Sequence, residues 1–330
     1  MSEIDDLTPP GRDGSVSADQ SDLDAAGPTQ VDMTAERRQA RRERIRLLLR
    51  SPSFIIGITV IAFWLFCALF PDLVSRYDPK EPLRHVPARD GPSSDAWFGT
   101  DRIGRDVFSR TTAGSRQVLS LAPISAVIGV TGGTALGLVV GYYRGHVDEI
   151  IGRIVDGFLS IPVILLAVLA ATTLGTSRTV IILTIAILFI PVVTRTIRAA
   201  VIAESELDYV VSAKLRGESG LYIMVREILP NVTGTVVVEL TVRIGYAIFT
   251  VATLAFLGFS PGDLSTPDWG VDINETFVNI QSDQWWMTIF PAIAIATLVT
   301  SFALPSLVDW EHASVMALLS QVALGVILTI

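Results

Sequence analysis

Residues 118–142 read VLSLAPISAVIGVTGGTALGLVVGY, a run of 25 residues without one charged side chain. A helix of this length rises about 37 Å at about 1.5 Å per residue, which is enough to cross a hydrocarbon layer about 30 Å thick. The run has no strand-like alternation of apolar and polar residues, and a backbone in lipid must satisfy its own hydrogen bonds. It therefore predicts a transmembrane helix and not a strand of a membrane barrel.

Further apolar runs of 15 to 26 residues occur along the chain. With 50% hydrophobic residues among 330, the chain is too apolar to hide that surface inside one water-soluble core. We therefore predict an all-α integral membrane protein with six transmembrane helices. The predicted spans are residues 54–70, 118–142, 158–174, 179–193, 232–257 and 287–304.

Basic residues predict the orientation of these spans. Seven arginines lie between residues 37 and 50, immediately before the first span. Because the cytoplasmic flanks of membrane helices carry an excess of basic residues, we expect the N-terminus in the cytoplasm. The loop 258–286 contains no Lys or Arg, as this orientation requires. The loop 71–117 carries eight basic residues, which disagrees with the orientation, but it also carries seven acidic ones. We keep the orientation because the first helix, with its arginine flank, usually dominates topology. The predicted cytoplasmic loops are 143–157 and 194–231, and the predicted external loops are 71–117, 175–178 and 258–286.

The two ends of the chain differ from the middle in composition. Residues 1–36 contain nine carboxylates and one basic side chain, a composition that predicts a disordered acidic tail. Residues 37–53 form a basic cytoplasmic flank, and residues 54–305 form the transmembrane domain. The C-terminal tail, 306–330, includes the uncharged and mostly apolar run 313–330. The sequence leaves open whether this run spans the membrane, lies along its inner surface or packs on nothing.

Several classes of site have no sequence pattern in this chain. The one cysteine, Cys67, lies in an apolar run, and the three histidines fall in separate loops, so we expect no metal site. The sequence has no G-x-x-x-x-G-K-[ST] phosphate loop, no G-x-S-x-G elbow and no H-E-x-x-H helix. We therefore expect neither an enzyme nor a cofactor-binding chain, and we expect no nucleic acid partner.

The most informative polar stretch lies between the fourth and fifth predicted spans. Residues 206–217 read ELDYVVSAKLRG and lead to ILPN at 228–231. This stretch resembles the EAA loop of ABC importer permeases, whose short helix docks onto an ATPase and ends near a glycine and an L-P pair. An amphipathic helix at the membrane surface is the other interpretation. The resemblance implies a coupling loop at 195–231 with Asp208, Tyr209, Ser212, Ala213, Lys214, Arg216 and Gly217 as its ATPase-coupling residues.

Two more stretches narrow the family. Residues 97–110 read WFGTDRIGRDVFSR, which is similar to the L-G-T-D-x-x-G-R-D-x-x-S-R run of the C-type permeases for dipeptides, oligopeptides and nickel. The stretches LAFLG at 254–258 and PDWG at 267–270 resemble the S-F-L-G and P-x-W-G segments of that family. A solvated turn followed by an amphipathic helix also explains residues 99–110 taken alone. The resemblance covers about residues 45–305.

This resemblance implies a type I ABC importer permease fold in the bacterial cytoplasmic membrane, with this chain forming half of a peptide pathway that works by alternating access. The implied partners are a second homologous permease subunit, two ATPase subunits that bind ATP and Mg²⁺, an external solute-binding protein and membrane lipid. The implied substrates are di- or oligopeptides, with nickel chelates or haem as alternatives. The expected contacts with the binding protein are Trp97, Asp101, Arg105, Asp268 and Trp269.

Glu239 and Arg243 are four residues apart in the fifth predicted span and can pair on one helix face. Charges within a span usually face a bundle interior or an aqueous pathway, so the pair is a candidate polar gate on the peptide route. A self-neutralised structural pair is the alternative. An ion-coupled secondary transporter would need further acidic or broken-helix sites in mid-span, and a scaffolding protein would not need the long loop at 194–231.

Overall fold

The computed structural model describes residues 52–263 and 265–303. Within these ranges the regular elements are helices, and only isolated β-bridges join extended residues. The predicted acidic tail, the basic flank before residue 52 and the C-terminal tail with its open seventh span lie outside the described residues. The principal helices are α1 Pro52–Leu69, α2 Val107–Tyr143, α3 Gly145–Leu159, α4 Val163–Leu174, α5 Arg178–Glu204, α6 Asp208–Leu215, α7 Gly220–Phe256, α8 Trp269–Thr276 and α9 Trp286–Ala303.

Of the helices in the described ranges, four are long and apolar enough to cross a membrane: α2, α5, α7 and α9. The pair α3 and α4 provides a fifth candidate span, although the two helices meet at an angle of 83°. Helix α1 is apolar over Ile55–Leu69, which is shorter than a full span. The predicted all-helical membrane class is therefore confirmed in the described residues, while the number of six spans stays a prediction.

The helices do not end where the predicted spans end. Helix α5 continues to Glu204 and α7 begins at Gly220, so residues 205–219 connect them and the rest of the predicted cytoplasmic segment 194–231 is helical. Most of the predicted loop 143–157 is helix α3, and the predicted span 158–174 is interrupted at residues 160–162. Apolar runs mark only where a helix can lie in lipid, whereas the helix itself continues as long as its backbone hydrogen bonds do.

Helices α2 and α5 approach each other along four glycines of α2. Gly129, Gly133, Gly137 and Gly141 recur every four residues and therefore share one helix face. A Cβ atom added to any of them would stand only 2.5 to 2.8 Å from the nearest atom of α5. Small residues let the backbones of membrane helices come this close, so these glycines set the spacing of the helix pair.

Two apolar clusters are built on this helix pair. The first includes Leu121, Ile185, Ile248 and Leu298, and it joins α2, α5, α7 and α9. The second lies further along α2 and joins it to α5, α6 and the start of α7 through buried aliphatic side chains: Leu138, Ile197, Val201, Val210 and Ile223. Helix α6 is therefore packed on the bundle through apolar contacts.

We expect Gly133→Ala to destabilise the protein by about 1–3 kcal/mol, because the added methyl group overlaps Val193 and forces the helices apart. Thermal unfolding in detergent measures this loss. Gly234→Ala is the matched control, since a Cβ atom there meets nothing within 4 Å and alanine is the better helix former. Equal Tm values for the two variants would contradict a tight contact at Gly133.

Candidate functional site

The connection between α5 and α7, residues 205–219, is called the α5–α7 segment below. Its helix α6 ends at Leu215, and Gly217 follows two residues later with a φ of +77° that only glycine readily adopts. The Gly217 N–H donates to the Lys214 carbonyl at 3.0 Å, and the Glu218 N–H donates to the Ala213 carbonyl at 3.3 Å. This is the hydrogen-bond pattern of a Schellman motif, and it explains why the helix stops just before Gly217.

Helix α6 has one face inside the protein and one face outside. Val210 and Ala213 are fully buried against α5 and α7. Ala213, one of the seven predicted coupling residues, therefore packs on its own chain, and Tyr209 is half-buried. The other five lie on the exposed side of the segment: Asp208, Ser212, Lys214, Arg216 and Gly217.

A chain of hydrogen bonds fastens α6 to both neighbouring helices. The Tyr209 hydroxyl donates to Glu204 Oε1 at 2.6 Å, and Asn231 Nδ2 donates to the Tyr209 hydroxyl at 3.1 Å. Burial and the neighbouring Glu204 carboxylate together raise the pKa of Tyr209 to about 12, so the hydroxyl keeps its proton at physiological pH. Glu204 ends α5 and Asn231 lies in α7, so a displacement of α6 acts on both helices.

Exposed apolar side chains lie on α6 and at the start of α7, which follows it. Leu215 is 84% exposed, and Leu221 and Tyr222 are exposed at the start of α7. Apolar side chains grouped on a polar surface mark an interaction site. Leu215 is not among the predicted coupling residues, because the sequence alone does not show which side chains of this helix are exposed.

The loop between α1 and α2 folds back on the start of α2. Asp106 caps α2 by accepting hydrogen bonds from Ser109 N at 2.9 Å and Ser109 Oγ at 2.6 Å. Arg105 pairs with Asp101 at 2.5 Å and with Glu275 at 3.4 Å. Residues 75–106, together with α8 in the next long loop, are called the loop cap below.

A buried ion pair joins α2 to α8. Arg110 Nε donates to Asp272 Oδ1 at 3.0 Å, and Arg110 Nη1 donates to the carbonyls of Pro79 and Ser265 at 3.1 and 3.2 Å. The other carboxylate oxygen, Asp272 Oδ2, has no hydrogen-bond partner in the described part of the chain. Complete burial raises the pKa of Asp272 to about 6, and the nearby Arg110 offsets only part of this effect.

Trp269 is enclosed where the loop cap meets the bundle. Its indole N–H donates to the Thr111 carbonyl at 2.7 Å, and its ring packs edge-on against Trp64 at 5.0 Å. A Cβ atom on Gly114 would lie 2.7 Å from the indole ring. Asp268 caps α8 through the N–H groups of Gly270 and Val271, which fixes the place where Trp269 enters the bundle.

Four of the five residues predicted to contact a binding protein are internal. Asp101, Arg105, Asp268 and Trp269 are at most 5% exposed, whereas Trp97 is 55% exposed. Trp97 stacks with Arg76, whose guanidinium lies 5.2 Å from its ring, and it packs on Phe108. The four buried residues therefore contact their own chain within the loop cap, whereas Trp97 lies at the surface.

Glu239 and Arg243 pair as their spacing predicts. Arg243 Nε lies 3.0 Å from Glu239 Oε2, and both side chains are 13% exposed. The guanidinium also lies over the rings of Phe189 and Tyr246, at 5.8 and 5.4 Å. The charged pair of α7 is therefore held between Phe189 of α5 and Tyr246 of α7. Among the described residues, no group of three His, Cys, Asp or Glu side chains is placed to hold a metal ion.

Comparisons with known proteins agree with one another. The family model described as "Binding-protein-dependent transport system inner membrane component" matches residues 133–311. The glutathione transport system permease protein GsiD of Pectobacterium atrosepticum is 35% identical over 254 residues, which are 76% of this chain and 81% of that protein. The dipeptide transport system permease protein DppC of Alkalihalophilus pseudofirmus is 34% identical over 263 residues, 79% of this chain and 85% of that protein.

Asp272→Asn should flatten the pH dependence of stability between about pH 4 and 6. A raised carboxyl pKa means that the folded state prefers the protonated group, so this group weakens the fold as pH rises from about 4 to 6. The amide has no proton to lose, and its unfolding curve should lack this component.

Asp263→Asn provides the contrast for this measurement. Hydrogen bonds from Thr266 and Ser265 lower the pKa of Asp263 to about 2, so its contribution is present above about pH 4 and is lost as pH falls towards 2. Chemical unfolding at a series of pH values distinguishes the two variants. A slope between pH 4 and 6 that Asp272→Asn leaves unchanged would contradict the assignment.

Proposed function

We propose, from the premise that this chain belongs to the binding-protein-dependent transport system inner membrane component family, that it is the permease subunit of an ATP-driven importer of short peptides. The chain is a multi-pass protein of the bacterial inner membrane. A permease of this family is not itself an enzyme. Its transport systems also contain an ATPase and a binding protein, and these supply the energy and the substrate.

The proposed assembly pairs this chain with a second, homologous permease subunit. Two ATPase subunits then lie beneath the pair, bind ATP and Mg²⁺, and close on nucleotide. Closure moves the bound helices and opens the pathway to the other side of the membrane, as in other rigid-body transport cycles. Helix α6 suits the contact with the ATPase, because one of its faces is exposed while the other is packed on α5 and α7.

The exposed face of α6 is the observation that carries this proposal. Asp208, Ser212, Lys214, Arg216 and Gly217 surround the projecting Leu215, which matches an apolar anchor within a polar rim. The hydrogen-bond chain from Glu204 through Tyr209 to Asn231 ties this surface to two candidate spans. A push on α6 is therefore delivered to α5 and α7 together.

On the other side of the membrane, we place the binding protein on the loop cap. Trp97 offers an exposed aromatic surface there. We infer that Asp101, Arg105, Asp268 and Trp269 act through the loop cap by holding it in shape. The substrate class is short peptides, since the similar proteins are named for transport of glutathione and of dipeptides.

Leu215→Ser should reduce co-purification of the ATPase and lower ATP-driven uptake of a labelled dipeptide by about tenfold or more, because an apolar anchor is lost from the interface. The measurement uses the assembled transporter in proteoliposomes. Val278→Ser, which alters an exposed apolar residue of the loop 258–286, should leave co-purification unchanged. Uptake that survives ATP depletion but stops when the proton gradient collapses would overturn the proposed function.

Arg243→Leu should reduce peptide uptake without loss of assembly if the pair lines the pathway, because Glu239 then faces the route uncompensated. The double exchange Glu239→Arg with Arg243→Glu keeps a four-residue ion pair. A purely structural pair predicts that this exchange restores uptake, whereas a pathway role predicts that uptake stays low. Normal uptake by Arg243→Leu itself would exclude the pathway role.

A further inference from the structure

Helix α3 has an apolar face that the described residues of this chain do not cover. Val147, Ile150, Ile154 and Phe158 recur every three or four residues and are 37–62% exposed. Residues at this spacing share one side of a helix. Among the described residues of α3, Val155 alone is buried in the bundle, so most of the apolar surface of α3 is available to something else.

A second side of α3 is fastened to α5. Asp148 Oδ2 accepts a hydrogen bond from Arg198 Nη2 at 2.6 Å, and Asp156 lies 4.0 Å from Arg195. Immediately before α3, Arg144 Nη2 lies 3.0 Å from Glu206 Oε1 in the α5–α7 segment. These contacts hold α3 beside the end of α5 that leads into the α5–α7 segment.

The position of these arginines gives the level of α3 in the membrane. Helix α5 begins at Arg178, and at about 1.5 Å per residue it rises about 25 Å to Arg195 and about 30 Å to Arg198. The hydrocarbon layer is about 30 Å thick. With the charged Arg178 at one boundary of this layer, Arg195 and Arg198 lie close to the other boundary. Helix α3 is therefore attached where the hydrocarbon ends and the headgroups begin.

The direction of α3 follows from its junction with α4. The two helices meet at 83° around residues 160–162, where Pro162 has no backbone N–H to continue a helix. Helix α4 carries no charged side chain and its residues 163–171 are all apolar, so it stands in the hydrocarbon as the membrane-crossing part of the α3–α4 pair. Helix α3 then runs close to the membrane plane. A third side of α3 carries the exposed pair of Glu149 and Arg153, at 2.6 Å, which faces water in this orientation.

We propose that α3 is an in-plane interfacial helix whose Val147, Ile150, Ile154 and Phe158 face binds the boundary between phospholipid headgroups and acyl chains, on the side of the α5–α7 segment. The three sides of the helix match lipid, protein and water respectively, as amphipathic helices at membrane surfaces require. Through Arg144 and Glu206, this lipid-bound helix is joined to the segment that we propose meets the ATPase. The lipid contact itself does not depend on which solute is transported.

Depth measurements along α3 test this proposal. Single cysteines replace Ile150, Ile154 and Phe158, one at a time, in the full chain carrying Cys67→Ala, and each receives a fluorescent label in the assembled transporter in phospholipid vesicles. Quenching by lipids with nitroxides at a shallow and at a deep acyl position reports depth. We expect all three labels to lie at one shallow depth and to be quenched most by the shallow nitroxide.

Two control labels on the same chain calibrate the measured depths. A label at Leu169→Cys, on the exposed apolar side of α4, should be quenched most by the deep nitroxide. A label at Glu149→Cys should react with a water-soluble thiol reagent and show little quenching by lipid. Together they report that the transporter is inserted and that α3 has distinct lipid and water sides.

Either of two other results would overturn the proposal. A depth that changes steadily, by about 12 Å from Ile150 to Phe158, would show that α3 crosses the membrane at about 1.5 Å per residue. Weak quenching at all three positions, with crosslinks to the second permease subunit, would show that protein and not lipid covers this face. The Leu169 control distinguishes both results from a failure to insert.

Discussion

The close approach of α2 and α5 along Gly129, Gly133, Gly137 and Gly141 fixes the positions of the loop cap and of the α5–α7 segment. Because the contact is made by backbone and Cβ atoms, no flexible side chain can take up a change in spacing. The start of α2 carries the loop cap, and the end of α5 carries the α5–α7 segment. The helix pair is therefore a stiff connection between the two surfaces that we propose meet the binding protein and the ATPase.

The charged motif before α2 acts mainly inside the chain. Arg105 and Arg110 neutralise Asp101 and Asp272, and Asp106 caps α2. Burial makes these groups costly unless each is paired, so they hold the loop cap in one shape. Most of this charged run is therefore buried in the loop cap, and Trp97 within it remains exposed.

Near the C-terminal end of α5, helices α6 and α3 are both attached to α5. Helix α6 is held by Glu204 and Asn231 through Tyr209, and α3 is held by Arg195 and Arg198. A motor that displaces α6 thus acts on the same helix end that anchors α3. In the proposed arrangement lipid binds α3 while the ATPase moves α6, and α5 and α7 carry the motion into the membrane.

The sequence by itself determined the helical membrane class and the site of the glycine-terminated helix at 208–215, because apolar run length and turn chemistry are local properties. It did not predict that α5 extends to Glu204, that α3 and α4 meet at 83°, or that Ala213 and Trp269 are buried. Those features were decided by tertiary structure. Contacts with residues far away in the chain decide which face of a helix is covered and how far the helix continues beyond the lipid. No local sequence pattern specifies those contacts.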